Sequence, residues 1–447
     1  MSVLVPPRIV PPPQPLRGIT FARTFVRNPL AVIPQAAYEG DFLRVAPKRA
    51  WVTSPAMLRA VLVDQRDKFR KTTQIRLLRP MLGRGILTSE GAEWKWQRQA
   101  AAPMFTPDKL ASFVPVFVRA AEARAAAWRA SGRETHEIEE EMTRATFDVI
   151  AATLLPSSDE RLSEVFAKAL SGLRRNGAWD IMYAQLNVPS WMPRPGMLAG
   201  KRAVQTLRST VAAIVRTSRA EGDDKKTLVH RLVAARDPES GRAMDDEQLV
   251  DNLLTFYLAG HETTAKALTW TLYLLARSPE WTETLREEIA RVVGERPVAA
   301  PHIEQLVLTQ QVIEEAMRLY PPVPIMSRQC VADAEIDGQA VRAGMSLIMP
   351  IYAVHRHARR WDEPDAFRPE RFAPGKEAAM QRHQYMPFGA GPRVCIGRVF
   401  ATMEATAMLA TFLQHARFSV AADFDPDPVA RVTLVPANGM PLRVIPA

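Results

Sequence analysis

The sequence predicts a mainly α-helical protein with small β-sheets, an α+β arrangement, and three observations carry that expectation. Long segments space their apolar residues three and four apart, as a half-buried helix requires. Short segments alternate apolar and polar residues between turn signals, as strands require. No internal repeat or low-complexity block interrupts the 447 residues, so a solenoid is not indicated.

In chain order, Met1 to Arg17 is rich in proline and reads as an extended or loosely packed arm, so residues 1–20 are set apart from a single domain over 21–447. Phe42 to Val52 alternates as strands do, and Ser54 caps a helix through Leu62. Thr106 to Ala130, Glu137 to Leu155, Asp159 to Arg174 and Lys201 to Ala220 have helical spacing, and Gly177 to Pro195 reads as a loop. A long helix is predicted from Asp245, its cap, to Arg277, where Ser278-Pro279 stops it. Ala332 to Met349 folds about Asp337-Gly338 as a hairpin. Arg398 to Gln414 is helical, and Arg431 to Val444 is strand-like with a turn at Asn438-Gly439.

Composition narrows the class. Hydrophobic residues make up 47% and charged residues 24%, as in ordinary soluble domains. Two cysteines give no disulfide framework, which fits a reducing compartment. The proline-broken start lacks the features of a signal peptide. Leu253 to Ala276 carries His261, Glu262 and Lys266 at its centre and is no membrane span. The expectation is a cytoplasmic enzyme. The net charge of +10 comes from lysines and arginines interleaved with acids, without a nucleic-acid motif. Clusters at Arg66, Lys68, Arg70 and Lys71, and at Arg356, Arg359 and Arg360, are either a solvated face or a docking surface for an acidic protein.

One stretch organises the chemistry: Pro387-Phe388-Gly389-Ala390-Gly391-Pro392-Arg393-Val394-Cys395-Ile396-Gly397. Its cysteine lies in a glycine-rich loop just ahead of a helix N-terminus, where orphan N–H groups and the dipole favour a thiolate. Glycines there let backbone approach a flat object. A buried cysteine beside a turn is the alternative. The pattern Phe388, Gly391, Arg393, Cys395, Gly397 resembles the haem-binding signature of the cytochrome P-450 (haem-thiolate monooxygenase) superfamily.

Further segments occur in that family's order. Ala259-Gly260-His261-Glu262-Thr263-Thr264 puts poor helix formers in the middle of the long helix. Gly260 either permits close helix packing or shapes a groove; the segment resembles the family's oxygen-binding groove, with Glu262 and Thr263 as its acid–alcohol pair. Glu315 and Arg318 share a helical face. They match the family's Glu-x-x-Arg motif, and Phe367 to Phe372 matches its Pro-x-Arg-Phe segment, which implies a structural triad of Glu315, Arg318 and Arg371. Trp94 and Arg98, four apart, resemble the family's propionate-binding helix, with Arg328 and Arg393 as further propionate arginines. His261 occupies a variable position and reads as packing. Cys330 reads as a small buried side chain, and His355 and His357 lack a third ligand nearby in sequence.

The resemblance implies the family's triangular-prism fold, haem b with Cys395 on its iron, and O2 as co-substrate. It places Pro387, Phe388, Gly389, Ile396, Gly397, Ala259, Gly260 and Thr264 against the haem. No flavin or ferredoxin domain follows Ala447, so electrons from NAD(P)H are expected through a ferredoxin or flavodoxin with its reductase, docking near Lys95 and Arg398. A monomer is expected. Ile75 to Leu87, Ala178 to Val188, Phe256, Val323 to Met326 and Thr433 to Pro436 would line the pocket, with Leu87, Phe256, Val323, Ile325 and Val435 foremost. These residues suit a hydrophobic terpenoid, fatty acid, steroid or aromatic. A peroxide-driven peroxygenase, a haem-thiolate isomerase, and a haem sensor or carrier are the rival readings.

Overall fold

In the computed structural model the centre of the long predicted helix is buried over most of its length, and its start is capped as the sequence requires. The Asp245 carboxylate accepts the Gln248 N–H at 2.8 Å, while Gln248 Oε1 accepts the Asp245 N–H at 3.2 Å. Two orphan donors are thereby satisfied reciprocally. The structure describes residues 3–154, 188, 192–193, 197–221, 227–237, 239–376 and 380–446.

The longer helices are α1 (Gly18–Arg27), α2 (Thr73–Leu82), α3 (Gly91–Ala101), α4 (Val114–Ser131), α5 (Ile138–Leu154), α6 (Met197–Glu221), α7 (Asp246–Ala276), α8 (Pro279–Val292), α9 (Val307–Leu319) and α10 (Arg398–His415). The strands are β1 (Phe42–Ala46), β2 (Arg49–Val52), β3 (Phe69–Arg70), β4 (Thr135–Glu137), β5 (Met326–Cys330), β6 (Ala334–Ile336), β7 (Gln339–Val341), β8 (Ser346–Met349), β9 (Ala416–Ser419), β10 (Pro428–Ala430), β11 (Leu434–Pro436) and β12 (Pro441–Pro446). The chain is thus mainly helical with small sheets.

The residues group into two compact units. The first comprises Met1–Arg70, Phe117–Ala145 and Thr263–Ala447; the second comprises Lys71–Val116 and Thr146–Glu262. The division falls inside α7, between Glu262 and Thr263. Every named strand belongs to the first unit, where a five-stranded sheet runs β1-β2-β8-β5-β3 and a three-stranded sheet runs β4-β12-β9. Only β2 and β8 pair in parallel within the larger sheet. Its apolar side packs Ala50, Val52, Leu58, Leu347 and Met349 into one core, each large aliphatic contributing about 1.5–3 kcal/mol by burial. Among its described residues the second unit is helical.

Several expectations need correction. The helix expected over Thr106 to Ala130 is two, Pro107–Ala111 and α4, because Pro115 belongs in a first turn and so restarts the helix rather than continuing it. The helix capped by Ser54, whose Oγ accepts the Met57 N–H, changes to a wider π turn over Ala60–Asp64. The proline arm is extended but not loosely packed. Tyr320 Oη donates to the Pro7 carbonyl at 2.6 Å, the Ile9 N–H donates to Tyr352 Oη at 3.1 Å, and Arg8 pairs with Asp365 at 2.8 Å. The hairpin forms as expected, with Asp337 and Gly338 both at positive φ. The helix expected over Asp159 to Arg174 lies outside the described residues, as does the loop over Gly177 to Pro195 apart from residues 188 and 192–193.

Candidate active site

Cys395 precedes α10 by three residues, in a loop whose shape is set by glycine. Gly389 and Gly391 hold φ of +75° and +69°. A Cβ on Gly391 would lie 2.2 Å from the Leu62 carbonyl oxygen, so the loop seats directly on the π turn over Ala60–Asp64. The Cys395 N–H donates to the Phe388 carbonyl at 2.9 Å and closes the loop on itself. Cys395 is exposed, and Phe388, Val394, Ile396, Val399 and Phe400 around it in sequence are half-buried, whereas Ala405 to Leu413 further along α10 are fully buried. An exposed sulfur beside incompletely covered apolar residues, at a helix N-terminus, suits a flat apolar ring with a soft metal at its centre. Arg393 is half-buried in the same loop.

Behind the loop, within the first unit, lies a buried polar network. The Arg318 guanidinium makes a bidentate pair with Glu315 at 2.6 and 2.7 Å, both side chains at 0% exposure. Arg318 also donates to the carbonyls of His355, Pro364 and Ala366. Arg371 Nε lies 3.5 Å from Glu315, and the Arg368 N–H donates to the same carboxylate at 2.8 Å. The three triad residues predicted from sequence are therefore brought together. Two groups that sequence reasoning missed extend the network toward the cysteine loop. His355 Nε2 accepts the Met386 N–H at 3.0 Å, and Tyr385 Oη donates to the Glu314 carbonyl at 2.9 Å. Burial and the neighbouring Arg318 push the His355 pKa down to about 3, so the imidazole is neutral and can accept. A histidine after the apolar run Ile351–Val354 was the signal for it.

Along α7 the residues from Leu249 to Leu258 are buried, as are those from Thr264 to Leu275. Ala259, Gly260, Glu262 and Thr263 break that pattern and are partly or wholly exposed. His261 points the other way: it is buried, its Nδ1 lies 2.7 Å from the Tyr257 carbonyl, and it serves packing. Gly260 has a packing reason as well, since a Cβ would lie 2.7 Å from Ile150 Cδ1. Small size at this position therefore serves close packing against Ile150. In the first unit, the buried Thr264 is the polar neighbour of Glu404 on α10. Burial raises the Glu404 pKa to about 8, and the Thr264 hydroxyl tempers the rise. Sequence reasoning missed Glu404, which sits in an apolar helical run without a charged partner nearby.

The remaining candidates divide between the units. Arg328, in β5, is buried, and its Nη1 donates to the Ser327 carbonyl at 2.8 Å. Val323, Ile325 and Val435 are half-buried in the same unit. In the second unit, Trp94 and Arg98 are half-buried on α3, Leu87 is half-buried, and Phe256 is buried with its ring 5.6 Å from Phe105. Lys95 is exposed and pairs with Glu239 at 3.1 Å. Among the described residues no helix is long and apolar enough to cross a membrane.

Comparison with known proteins adds an independent finding. A family model described as Cytochrome P450 matches residues 37–441. Cyclooctatin synthase from Streptomyces melanosporofaciens is 30% identical over 449 residues, covering 98% of this chain and 95% of that protein. Pentalenene oxygenase from Streptomyces avermitilis is 30% identical over 430 residues, covering 94% and 93%. Cytokinin hydroxylase from Arabidopsis thaliana is 33% identical over 384 residues, covering 82% and 72%. The solved heme domain of cytochrome P450DA superposes with a TM-score of 0.84 at 24% identity, covering 98% of this chain and 97% of that one, which speaks for the fold.

Proposed function

Because the chain belongs to the cytochrome P450 family of oxidoreductases, we propose that it is a haem-thiolate monooxygenase acting on a hydrophobic small molecule of terpenoid type. Cys395 would ligate the iron of haem b, and the observation that supports this most is its exposed position in a glycine-shaped loop ahead of α10. Trp94 and Arg98, with Arg328 and Arg393, carry N–H donors suited to two propionates. Ala259, Gly260 and Thr264, with Pro387, Phe388, Gly389, Ile396 and Gly397, would contact the ring. When bound, a thiolate-ligated haem supplies oxygen activation and the oxidative chemistry, with O2 as co-substrate.

The chain's own residues supply proton handling, orientation and exclusion of water. Glu262 and Thr263 are the partly exposed acid and alcohol of α7 between its two buried runs, and they would pass protons in from solvent at the carboxyl and Oγ1. Glu315, Arg318 and Arg371 hold the backbone that leads to Cys395 and act structurally. Leu87, Phe256, Val323, Ile325 and Val435 would line an apolar pocket that orients substrate and keeps bulk water out. Terpenoid substrates are favoured by two relatives named for cyclooctatin and pentalenene chemistry, each matched over nearly its whole length. We further propose that residues 21–447 serve one reaction as a monomer in the cytoplasm, with electrons from NAD(P)H reaching it through a ferredoxin or flavodoxin and its reductase, and Lys95 and Arg398 in the docking face.

The test is spectroscopic and then chemical. Reduced protein under carbon monoxide should show a strongly red-shifted Soret band that Cys395→Ser abolishes; an unchanged spectrum in that variant overturns the assignment. A terpenoid panel should then give spin-state shifts and hydroxylated or epoxidised product with NAD(P)H and a surrogate ferredoxin pair. Turnover with peroxide alone would mark a peroxygenase instead, and haem binding without turnover a sensor or carrier.

A further inference from the structure

The turn that follows α2 is fastened to α7 by side chains distant from it in sequence. Gly83 holds φ +54°, and a Cβ there would lie 2.2 Å from the Asp251 carboxylate. A Cβ on Gly85 would lie 2.5 Å from Thr255 Oγ1 and 2.7 Å from the Asp251 carbonyl. Between and beyond these glycines the backbone is received group by group. The Arg84 N–H donates to Asp251 Oδ2 at 2.6 Å, and the Ile86 N–H donates to Asn252 Oδ1 at 2.9 Å. Gln97 Nε2 on α3 donates to the Arg84 carbonyl at 2.9 Å, and Thr88 Oγ1 donates to the Gly83 carbonyl at 2.7 Å. Asp251 and Asn252 are 2% and 1% exposed, so these bonds form away from water.

A carboxylate buried to that degree needs a cation. Arg208 on α6 supplies it, its Nη1 donating to Asp251 Oδ1 at 2.6 Å. One oxygen of Asp251 therefore holds the turn and the other holds α6. Removing either partner leaves a desolvated charge short of a donor, which is strongly unfavourable, so turn and helix keep their places together. Leu87 stands half-buried in this turn between the buried Ile86 and Thr88, and Phe256 follows Asp251 on the same α7.

Resting on the assignment of Leu87 and Phe256 to the substrate pocket, we propose that Asp251, with Arg208 as its counter-ion, is a positioning residue that determines which hydrophobic substrates fit, by fixing the turn Gly83–Ser89 and the side chain of Leu87 on it. A clamp that served stability alone would leave the ranking of ligands by size untouched. A clamp that shapes the pocket wall would alter the binding of bulky ligands and spare small ones.

Two readouts on the holoprotein separate these cases: amide hydrogen exchange of the peptide spanning 83–89, and spectral titration with imidazole and with the much bulkier clotrimazole. In Asp251→Ala, exchange of that peptide should accelerate about ten-fold or more. The half-saturating concentration of clotrimazole should move by about ten-fold, and that of imidazole by less than about two-fold. Unaltered exchange, or equal shifts for both azoles, overturns the proposal. Should that variant not accumulate, Asp251→Asn, which keeps side-chain volume, and Arg208→Gln, which removes the counter-charge, should shift both readouts in the same directions. If the wild-type protein takes up no haem, the monooxygenase reading fails at that step. Shifts of the thermal midpoint with each azole then replace the spectra, and equal shifts by both azoles across the variants overturn the clamp's role.

Discussion

Thr263, next to Glu262, is the last partly exposed residue before α7 becomes buried at Thr264. Thr263→Ala should keep the carbon-monoxide spectrum and the rate of reduction. It should lower product formed per NAD(P)H by about a hundred-fold, the lower end of the range for one lost proton-transfer group, with peroxide as the balance. Tight coupling in that variant would count against the acid–alcohol role. Glu404 supports a different expectation. An unfolded chain releases this proton near pH 4.5, whereas the folded protein holds it to about pH 8. Its stabilising contribution is therefore complete below pH 4.5 and is lost as pH rises to 8, at a limiting slope of about 1.4 kcal/mol per pH unit. Glu404→Gln should flatten that decline in thermal midpoint; a variant that tracks the wild type shows the carboxyl to be ionised throughout. His355 acts in the opposite direction, its contribution growing as pH rises from about 3 to 6.5. Residues such as Cys395, Glu315 and Arg318 were legible in the sequence because their motifs are local. Asp251 and His355 were not, because the groups they bind lie 167 and 31 residues away.

Elements explain how the glycine-rich cysteine loop acquires a defined shape. The cysteine loop is pressed onto the π turn over Ala60–Asp64 at Gly391 and backed by the α9 network of Glu315 and Arg318. Gly391→Ala combines a left-handed backbone with a Cβ 2.2 Å from a carbonyl oxygen. We expect it to destabilise the protein by about 1–3 kcal/mol or more and to lower haem content. Full haem incorporation with an unshifted urea midpoint would show that the loop can relax away from Leu62. The long helices and the Asp337-Gly338 hairpin were legible from period and turn chemistry alone. The helices α1, α2 and α8 were not read: α1 has no side-chain cap at Arg17, and α2 contains Pro80. The π turn after Arg59 also escaped notice, since its pattern differs from an α-helix by a single residue per turn.

On the scale of the whole chain, fold class was legible because helical period dominates the sequence, while of the two readings of the arm, extended or loosely packed, the second fails because proline content says nothing about what a segment lies against. Its carbonyls and amides are taken up by tyrosines from two distant segments, Tyr320 and Tyr352. Deleting residues 1–12 should lower the thermal midpoint by several degrees, about 2–4 °C for each kcal/mol removed, and leave the carbon-monoxide spectrum in place; an unshifted midpoint would mean that these bonds add nothing net. Asn28 repeats the theme, donating from Nδ2 to the Pro428 carbonyl at 2.9 Å and accepting the Ala430 N–H at 3.2 Å. During synthesis, then, the segment from Leu4 to Ile9 leaves the ribosome hundreds of residues ahead of the groups that receive it. It must wait, hydrated and undocked, until those later residues have been made. Proline suits that interval: a stretch already stiff and short of amide donors loses little entropy when it finally docks, and offers little for a stray strand to pair with while it waits.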